Sequence, residues 1–317
     1  MINKKKTRKS YSYKNHRIIW LILSTLLILS CAGIFAYSKV LNAQDSYSET
    51  YVKYESDLRN HAPKKVLAKE KPLSFLLLGV DQRENDPGRS DTMIVMTVNP
   101  ETGLATTMSI PRDAYVPIAG DNHLDKINHA YAVGGIETSA KTVEHVFNIP
   151  IDYVVAINME GLQNLMTITG DIEVENRTAF TVGTNSFPKG KVTLNAENIL
   201  DYVKMRKDDK DGDFGRQNRQ RAVLLAMFKK LQDMNALKNV DNLLTVMKHN
   251  METNIPISDM NSIRKNYLGN IDNTKKLSLY EGKSIKIKGV YYYKMDKKNV
   301  EKNIEILRKQ LNLTNEQ

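Results

Sequence analysis

The sequence predicts an α/β domain, a three-layer α/β/α arrangement on a mixed central sheet, preceded by a single N-terminal transmembrane helix. Three observations predict it. A charge-free segment near the N-terminus follows a run of cations. A continuous apolar stretch, Ser74 to Val80, has the look of a strand buried on both faces. From there to the C-terminus strand-like and helix-like segments interleave, which places helices on both faces of a sheet.

The anchor comes first. Ile18 to Tyr37 carries no charged side chain, and a helix of that length rises about 30 Å, the thickness of a hydrocarbon core. Lys4, Lys5, Lys6, Arg8, Lys9, Lys14 and Arg17 precede it with no acid among them. Such a cluster holds its end in the cytoplasm and sends the rest of the chain outside. Most of the net charge of +10 belongs to this tail, so it argues topology rather than nucleic-acid binding. A cleaved signal peptide is the rival, since Ile28-Leu29-Ser30-Cys31 faintly resembles a lipoprotein cleavage site. The apolar run continues past Cys31 through Ala36, which favours an uncleaved anchor. Cys31 is also the only cysteine, so the outer domain has no disulfide and no cysteine metal site. The expected organisation is a cytoplasmic tail over 1–17, a signal anchor over 18–37, a polar stalk over 38–72 and a folded extracytoplasmic domain over 73–317.

Within that domain, Thr92–Val98 and Leu104–Ile110 read as two further strands, separated by the turn Asn99–Gly103. Asn128–Phe147 reads as a helix with Gly134-Gly135 awkwardly inside it. Asp152–Asn158 follows as a strand and Met159–Thr169 as a helix. Leu194–Arg206, Phe214–Met234 and stretches near 238–252 and 258–269 are expected to be helical. Leu277–Tyr280 and Val290–Met295 are late strands, and Lys298–Leu311 closes the chain as a helix.

The chemistry is concentrated at strand ends. Asp81 follows the first strand, Arg89 and Asp91 precede the second, and Arg112 and Asp113 follow the third. In an antiparallel meander these positions share one edge, where two carboxylates and two guanidiniums converge under the loop Gln82–Gly88. A second cluster runs from Lys204 to Arg221. Arg216, Arg219 and Gln220 are spaced to share a helix face near its start. Lys204 and Arg206 share a face only if the chain there is extended. Joined, the clusters make a site for a multiply charged phosphate, with forked arginines on its oxygens and two aspartates able to hold Mg²⁺. Plainer readings stand beside this one. An Asp after a strand is usually a turn residue. Lys207, Asp208, Asp209 and Lys210 read as a solvated loop. Arg219 or Arg221 alone could be surface or salt-bridged, and His129 could be structural or could line the site. Val223, Leu224, Leu225, Met227 and Phe228 read as core. No Walker-type loop, nucleophile elbow or His-x-x-x-His pair is present.

Five blocks, FLLLGVDQREND, GRSDTMIVMTVNP, MSIPRDAYV, DKINHAYAVGG and YVKMRKDDKDGDFGRQNRQR, resemble in their joint order the LytR–CpsA–Psr family of cell-wall glycopolymer ligases, and most closely its teichoic-acid-transferring members. The resemblance covers residues 73–235. It implies an extracytoplasmic catalytic domain on a Gram-positive type of cell envelope, a polyprenyl-pyrophosphate-linked glycopolymer as donor, and peptidoglycan as acceptor. The lipid tail would lie in an apolar pocket and the pyrophosphate on arginines with Mg²⁺ or Mn²⁺. The muramic acid C6 hydroxyl would attack and polyprenyl phosphate leave. Asp81 and Asp91 match the family's metal-site acids. Arg89, Arg112, Arg206, Arg216 and Gln220 match its pyrophosphate positions. Lys204 stands where many relatives carry arginine, keeping the charge but losing the fork.

Two other function classes compete with this one. A membrane-bound transcriptional attenuator would need a basic reading surface in the cytoplasm, and residues 1–17 are too few for any groove-reading motif, so no nucleic-acid partner is expected. A non-catalytic lipid or wall-polymer binding module would need the arginines alone. The presence of both Asp81 and Asp91 favours the enzyme. By spacing on an ideal helix, Arg221 is expected to point away from the Arg216–Gln220 face, towards solvent.

Overall fold

In a computed structural model, the structure describes residues 48–59, 66–67, 69–83, 86–120, 122–206, 209, 212–233, 248, 250–271 and 273–313. The expected anchor at 18–37 lies outside them, and no helix among the described residues is long and apolar enough to cross a membrane.

The first three strands are β1 (Leu73–Arg83), β2 (Asp86–Asn99) and β3 (Leu104–Ser109). They form the antiparallel meander that their short connections require. The first two run further than their apolar cores, so Asp81, Arg89 and Asp91 sit within strands rather than beside them. A small hairpin follows, β4 (Tyr115–Pro117) with β5 (Leu124–Lys126). Then comes α1 (His129–Phe147), whose Gly134-Gly135 pair is a true break: Gly134 lies at φ −163°, ψ 36° and Gly135 at φ 60°, ψ −145°. Next are β6 (Tyr153–Asn158) and α2 (Met159–Thr169). The Asn158 side chain caps α2 by accepting from the Gly161 N–H at 2.7 Å.

Four short strands that the periodicity does not announce come next: β7 (Ile172–Asn176), β8 (Phe180–Val182), β9 (Asn185–Phe187) and β10 (Gly190–Leu194). The helix expected over Leu194–Arg206 shrinks to α3 (Ile199–Lys204). Asn195 is the reason, because its side-chain oxygen accepts from the N–H groups of Glu197 and Asn198, both at 3.0 Å, and holds a turn there. A long helix, α4 (Asp213–Asp233), follows. The helix expected near 238–252 lies mostly outside the described residues, and its end is instead the strand β11 (Met251–Thr253). The helical stretch near 258–269 is α5 (Ile257–Ser262) running into a π turn over Ile263–Tyr267. The strand expected at Leu277–Tyr280 lies earlier, as β12 (Asn273–Leu277). Its first four residues are exposed, so it carries little apolar alternation to read. The hairpin β13 (Gly282–Ile287) with β14 (Val290–Met295) and the helix α6 (Lys297–Gln310) complete the chain.

The main sheet has six strands in the order β11-β6-β1-β2-β3-β12, with β1 and β6 parallel, β3 and β12 parallel, and the other pairs antiparallel. It is the mixed sheet that the interleaving of elements predicts. Leu76, Leu78, Val80, Met93 and Val95 pack with α1 residues Ala140, Val143 and Phe147 and with Leu307 of α6. Phe75, Leu77, Ile94 and Met96 face the other way, towards Ile263, Tyr267 and Leu224 of α4. A third cluster seats β7–β10 on α2, α3 and α4 through Phe187, Tyr202, Val223 and Met227.

Part of the segment read as stalk is folded onto the domain. Tyr51 bridges Thr253 beside β11, and Tyr54 is in the main core. The guanidinium of Arg59 donates through Nε and Nη2 to both oxygens of Asp152, at 2.8 and 2.7 Å. Polar composition hides this, because the contacts are made by a few side chains in an extended chain.

Candidate active site

The site is built at one end of the β1–β2–β3 meander. Asp81 and Arg89 are direct partners across β1 and β2. One step inward the ladder slips: Val80 pairs with Ser90 but Gly79 pairs with Thr92, so Asp91 is an extra residue, a β-bulge. Bulges bend a strand and re-aim its side chains, and they concentrate beside active sites. A second slip, nearer the hairpin tip, depends on Gly88. Its φ of +79° is strained for other residues, and a Cβ there would meet backbone of Gln82 and a Val80 methyl, each at 2.9 Å.

β3 ends at Ser109, and Pro111 ends the strand pairing. Arg112 then turns back to the bulge, where its Nη1 donates to Asp91 Oδ2 at 2.7 Å. Arg216 reaches the same oxygen from the first turn of α4, its Nη1 at 3.7 Å, with a side chain only 5% exposed. The other oxygen of Asp91 accepts from Asn128 Nδ2 at 3.4 Å. Lys126 pairs with Asp113 at 2.7 Å. His129 Nδ1 lies 2.7 Å from Asp125 Oδ2. Burial pushes the Asp125 carboxyl up, but the hydrogen bonds from His129 and from the Lys126 N–H outweigh this and hold it below its usual range.

These groups surround an open pocket of about 310 Å³, lined by Asp81, Arg89, Asp91, Arg112, Lys126 and His129 among others. Acids and bases both line it, so it differs from a purely cationic anion hole. Among the described residues no three His, Cys, Asp or Glu side chains gather as a metal cage. Asp81 and Asp91, both lining the pocket, nevertheless offer the oxygen donors that a hard cation takes when it keeps waters and completes its shell with substrate phosphate, as Mg²⁺ and Mn²⁺ sites do.

The second sequence cluster divides. Arg216 does not line the pocket itself but stands behind it, paired with the lining residue Asp91. Arg219 is turned to α3: its Nε donates to the Tyr202 carbonyl at 3.1 Å, Nη2 donates to the Met205 carbonyl, and Nη1 pairs with Asp209. The guanidinium also lies over the Phe180 ring, 5.1 Å from its centroid. Gln220 donates to the Val203 carbonyl at 3.3 Å, and its buried Oε1 has no partner among the described residues. Gln220 borders a small apolar cleft of about 30 Å³ between the sheet and helices α2 and α4, with Gly79, Thr92, Leu162, Val203 and Leu224. Lys204 and Arg206 are exposed at the end of α3, where Met205 is extended at ψ 133°.

Two expectations about this cluster are corrected. Asp209, read as part of a solvated loop, has a side chain 4% exposed because it is the counter-ion of Arg219. Arg221, expected to face solvent, is 6% exposed, with Nη1 3.4 Å from Ser109 Oγ of β3 and Nη2 donating to Asn218 at 2.8 Å. Arg221 is packed at the C-terminal end of β3, which helix spacing alone does not reveal. Lys126 and Asn128, unassigned by sequence reasoning, stand at the pocket. The only signal for them was their place in the block just ahead of α1.

The model of the LytR_cpsA_psr family matches residues 37–309. A polyisoprenyl-teichoic acid–peptidoglycan teichoic acid transferase, TagU of Bacillus subtilis strain 168, is 37% identical over 284 residues, 89% of this chain and 92% of that one. Among solved structures, a protein of Enterococcus faecalis described as a transcriptional regulator superposes with a TM-score of 0.70 at 35% identity, over 78% of this chain and 90% of the other. TagT bound to LIIa-WTA superposes with a TM-score of 0.69 at 28% identity, over 83% of this chain and all (100%) of that one.

Proposed function

The chain belongs to the LytR–CpsA–Psr family, and from that premise we propose that it is a transferase moving a phosphate-linked glycopolymer, wall teichoic acid or a close analogue, from a polyprenyl-pyrophosphate carrier to peptidoglycan. Relatives named for this transfer align with nearly the whole chain. The observation that carries the reading here is the grip of Arg112 and Arg216 on one oxygen of Asp91, at the bulge of an open pocket. Two guanidiniums fixed by a carboxylate are positioned before substrate arrives, and positioning with charge stabilisation is most of what phosphoryl transfer requires.

In this reading the pyrophosphate lies across Arg89, Arg112 and Arg216. The muramic acid C6 hydroxyl oxygen attacks the phosphorus that bears the glycopolymer, and polyprenyl phosphate leaves with the bridging oxygen. Asp81, at the pocket rim, takes the hydroxyl proton. Asp81 and Asp91 would hold Mg²⁺ or Mn²⁺, which when bound supplies charge to the phosphate oxygens. The prenyl chain enters the apolar cleft beside Gln220. At about 30 Å³ that cleft cannot hold a prenyl chain as it stands, so α2 and α4 separate as the lipid enters. Residues 18–37 anchor the protein in the cell membrane, with the domain on the outer side.

The test is transfer of a defined lipid-linked sugar phosphate to peptidoglycan oligomers by the detergent-solubilised full chain. Transfer that needs a divalent cation and is lost in Asp81→Ala and Asp91→Ala, both still folded, is the expected result. Full, cation-independent transfer by Asp91→Ala would sink the reading.

A further inference from the structure

A second cationic cleft lies on the side of α4 away from Asp91. Its volume is about 200 Å³, and its walls include Arg177, Arg221 and Lys276. The topology makes this convergence. Lys276 of β12 is the register partner of Thr107 of β3, so it shares a face with Ser109 two residues on, the residue whose hydroxyl the Arg221 guanidinium approaches. Arg177 follows directly on β7, which packs over α4. Arg221 is buried, and neither it nor Arg177 nor Lys276 has a carboxylate within ion-pair distance among the described residues. The cleft also contains Arg219, already neutralised by Asp209, and the exposed carboxylate Glu175.

Among the described residues of the cleft, these three cations face one carboxylate not already paired, the exposed Glu175, and that excess of positive charge costs free energy. Burial and then the nearby Arg221 and Arg177 push the Lys276 ammonium down, and burial likewise lowers Arg221. An anion seated among them relieves that cost, and the forked Arg221, already fixed by Asn218 and Ser109, suits a phosphate oxygen. The cleft is tied to the candidate active site through two short pieces of chain. Arg216 and Arg221 are five residues apart on α4, about 7.5 Å along the axis and about 140° round it. Ser109 and Arg112 are three apart at the end of β3.

We propose that this cleft is a second phosphate subsite, formed by Arg177, Arg221 and Lys276, that binds a repeat-unit phosphate of an anionic glycopolymer beyond the reacting pyrophosphate. The inference rests on the proposed transfer for the identity of the polymer, but binding there does not depend on turnover. One phosphate at Arg112 and Arg216 and another at Arg221 give the protein a means of distinguishing a polyphosphate chain from a neutral glycan.

The experiment is calorimetric binding of a lipid-free oligo(glycerol phosphate) to the full chain in detergent. Arg177→Ala/Lys276→Ala removes two cations at the surface of the cleft and leaves the buried Arg221 in place. Affinity should fall on the order of tenfold or more. Lys283→Ala/Lys286→Ala removes the same charge from the exposed hairpin β13–β14 and should leave affinity unchanged. In the wild type, the oligomer should also raise the Lys276 pKa, followed by NMR of the labelled lysine ammonium. Equal losses in the two double variants, wild-type affinity in the first, or no measurable binding by the wild type would each overturn the proposal. A chain that binds the oligomer through this cleft but transfers nothing would sink the transferase reading and leave the subsite standing.

Discussion

At the scale of single residues, three arginines, Arg216 and Arg219 buried and Arg112 partly exposed, are set to different tasks by what they touch. Arg112 and Arg216 point at Asp91 in an open pocket, whereas Arg219 is spent on carbonyls of α3 and on Asp209. Arg112→Ala should therefore lose about 2–4 kcal/mol of transition-state stabilisation, roughly 30- to 1000-fold in transfer rate, with little change in melting temperature. Arg219→Ala should do the reverse first, lowering the melting temperature by stranding a buried carboxylate, a change worth about 3–5 kcal/mol. Transfer rate and thermal melt measured on both variants check the pair. A large melting shift for Arg112→Ala with none for Arg219→Ala would reverse the assignment. The sequence shows all three arginines but not this division. Helix spacing groups Arg216, Arg219 and Gln220, and it is the placement of the α3 carbonyls and of Asp209 beside Arg219 that separates them. For the same reason Arg221 looks like a surface residue until β3 is placed against it.

At the scale of elements, the meander was legible and its irregularities were not. Short connections and apolar runs are enough to bring Asp81, Arg89, Asp91 and Arg112 to one edge. The bulge at Asp91 depends on register, which pattern alone does not fix. Lys126 and Asn128 arrive from a separate hairpin and helix start, with no spacing to link them to the strands. The hairpin tip offers a test. Gly88→Ala meets both a positive φ and contacts of 2.9 Å to neighbouring chain, so it should destabilise the protein by more than about 1 kcal/mol and lower transfer as the tip shifts. An unchanged melt would show that the tip relaxes freely. Helix α1 offers another. Glu144 is buried near its end and accepts from the Ile151 N–H at 2.6 Å and from the Ser56 hydroxyl. Burial raises its carboxyl above the usual range. A carboxyl raised in the fold adds stability below the ordinary carboxylate pKa, and that stability is lost as pH rises through the folded value. Glu144→Gln stays neutral throughout, so its melting temperature relative to wild type should be more favourable at about pH 7 than at about pH 4. A difference independent of pH would show that Glu144 titrates normally.

At the scale of the whole molecule, the domain is held by a few long-range ties as much as by its core. Asp152, with no solvent exposure, accepts from the Ser74 N–H at 2.8 Å and the Ser74 hydroxyl at 2.9 Å, besides the two bonds from Arg59. It joins the start of β1, the approach to β6 and the N-terminal segment. Arg59→Ala in the full chain should cost about 3 kcal/mol, because a fully buried carboxylate loses its cation. A thermal melt of that variant, set against one of an exposed control such as Lys294→Ala, reads the effect, and equal melts would make Arg59 a passive strap. The strand order carries a consequence for synthesis. The four inner strands come from residues 73–158, but both flanks of the sheet wait for β11 and β12, which lie beyond residue 250. A chain emerging N-terminus first holds four paired strands with bare N–H and C=O groups on either side until its last quarter appears. Such a half-made sheet recruits strands from other chains, so a ribosomal stall or nonsense codon after α4 should yield aggregates rather than a smaller folded protein.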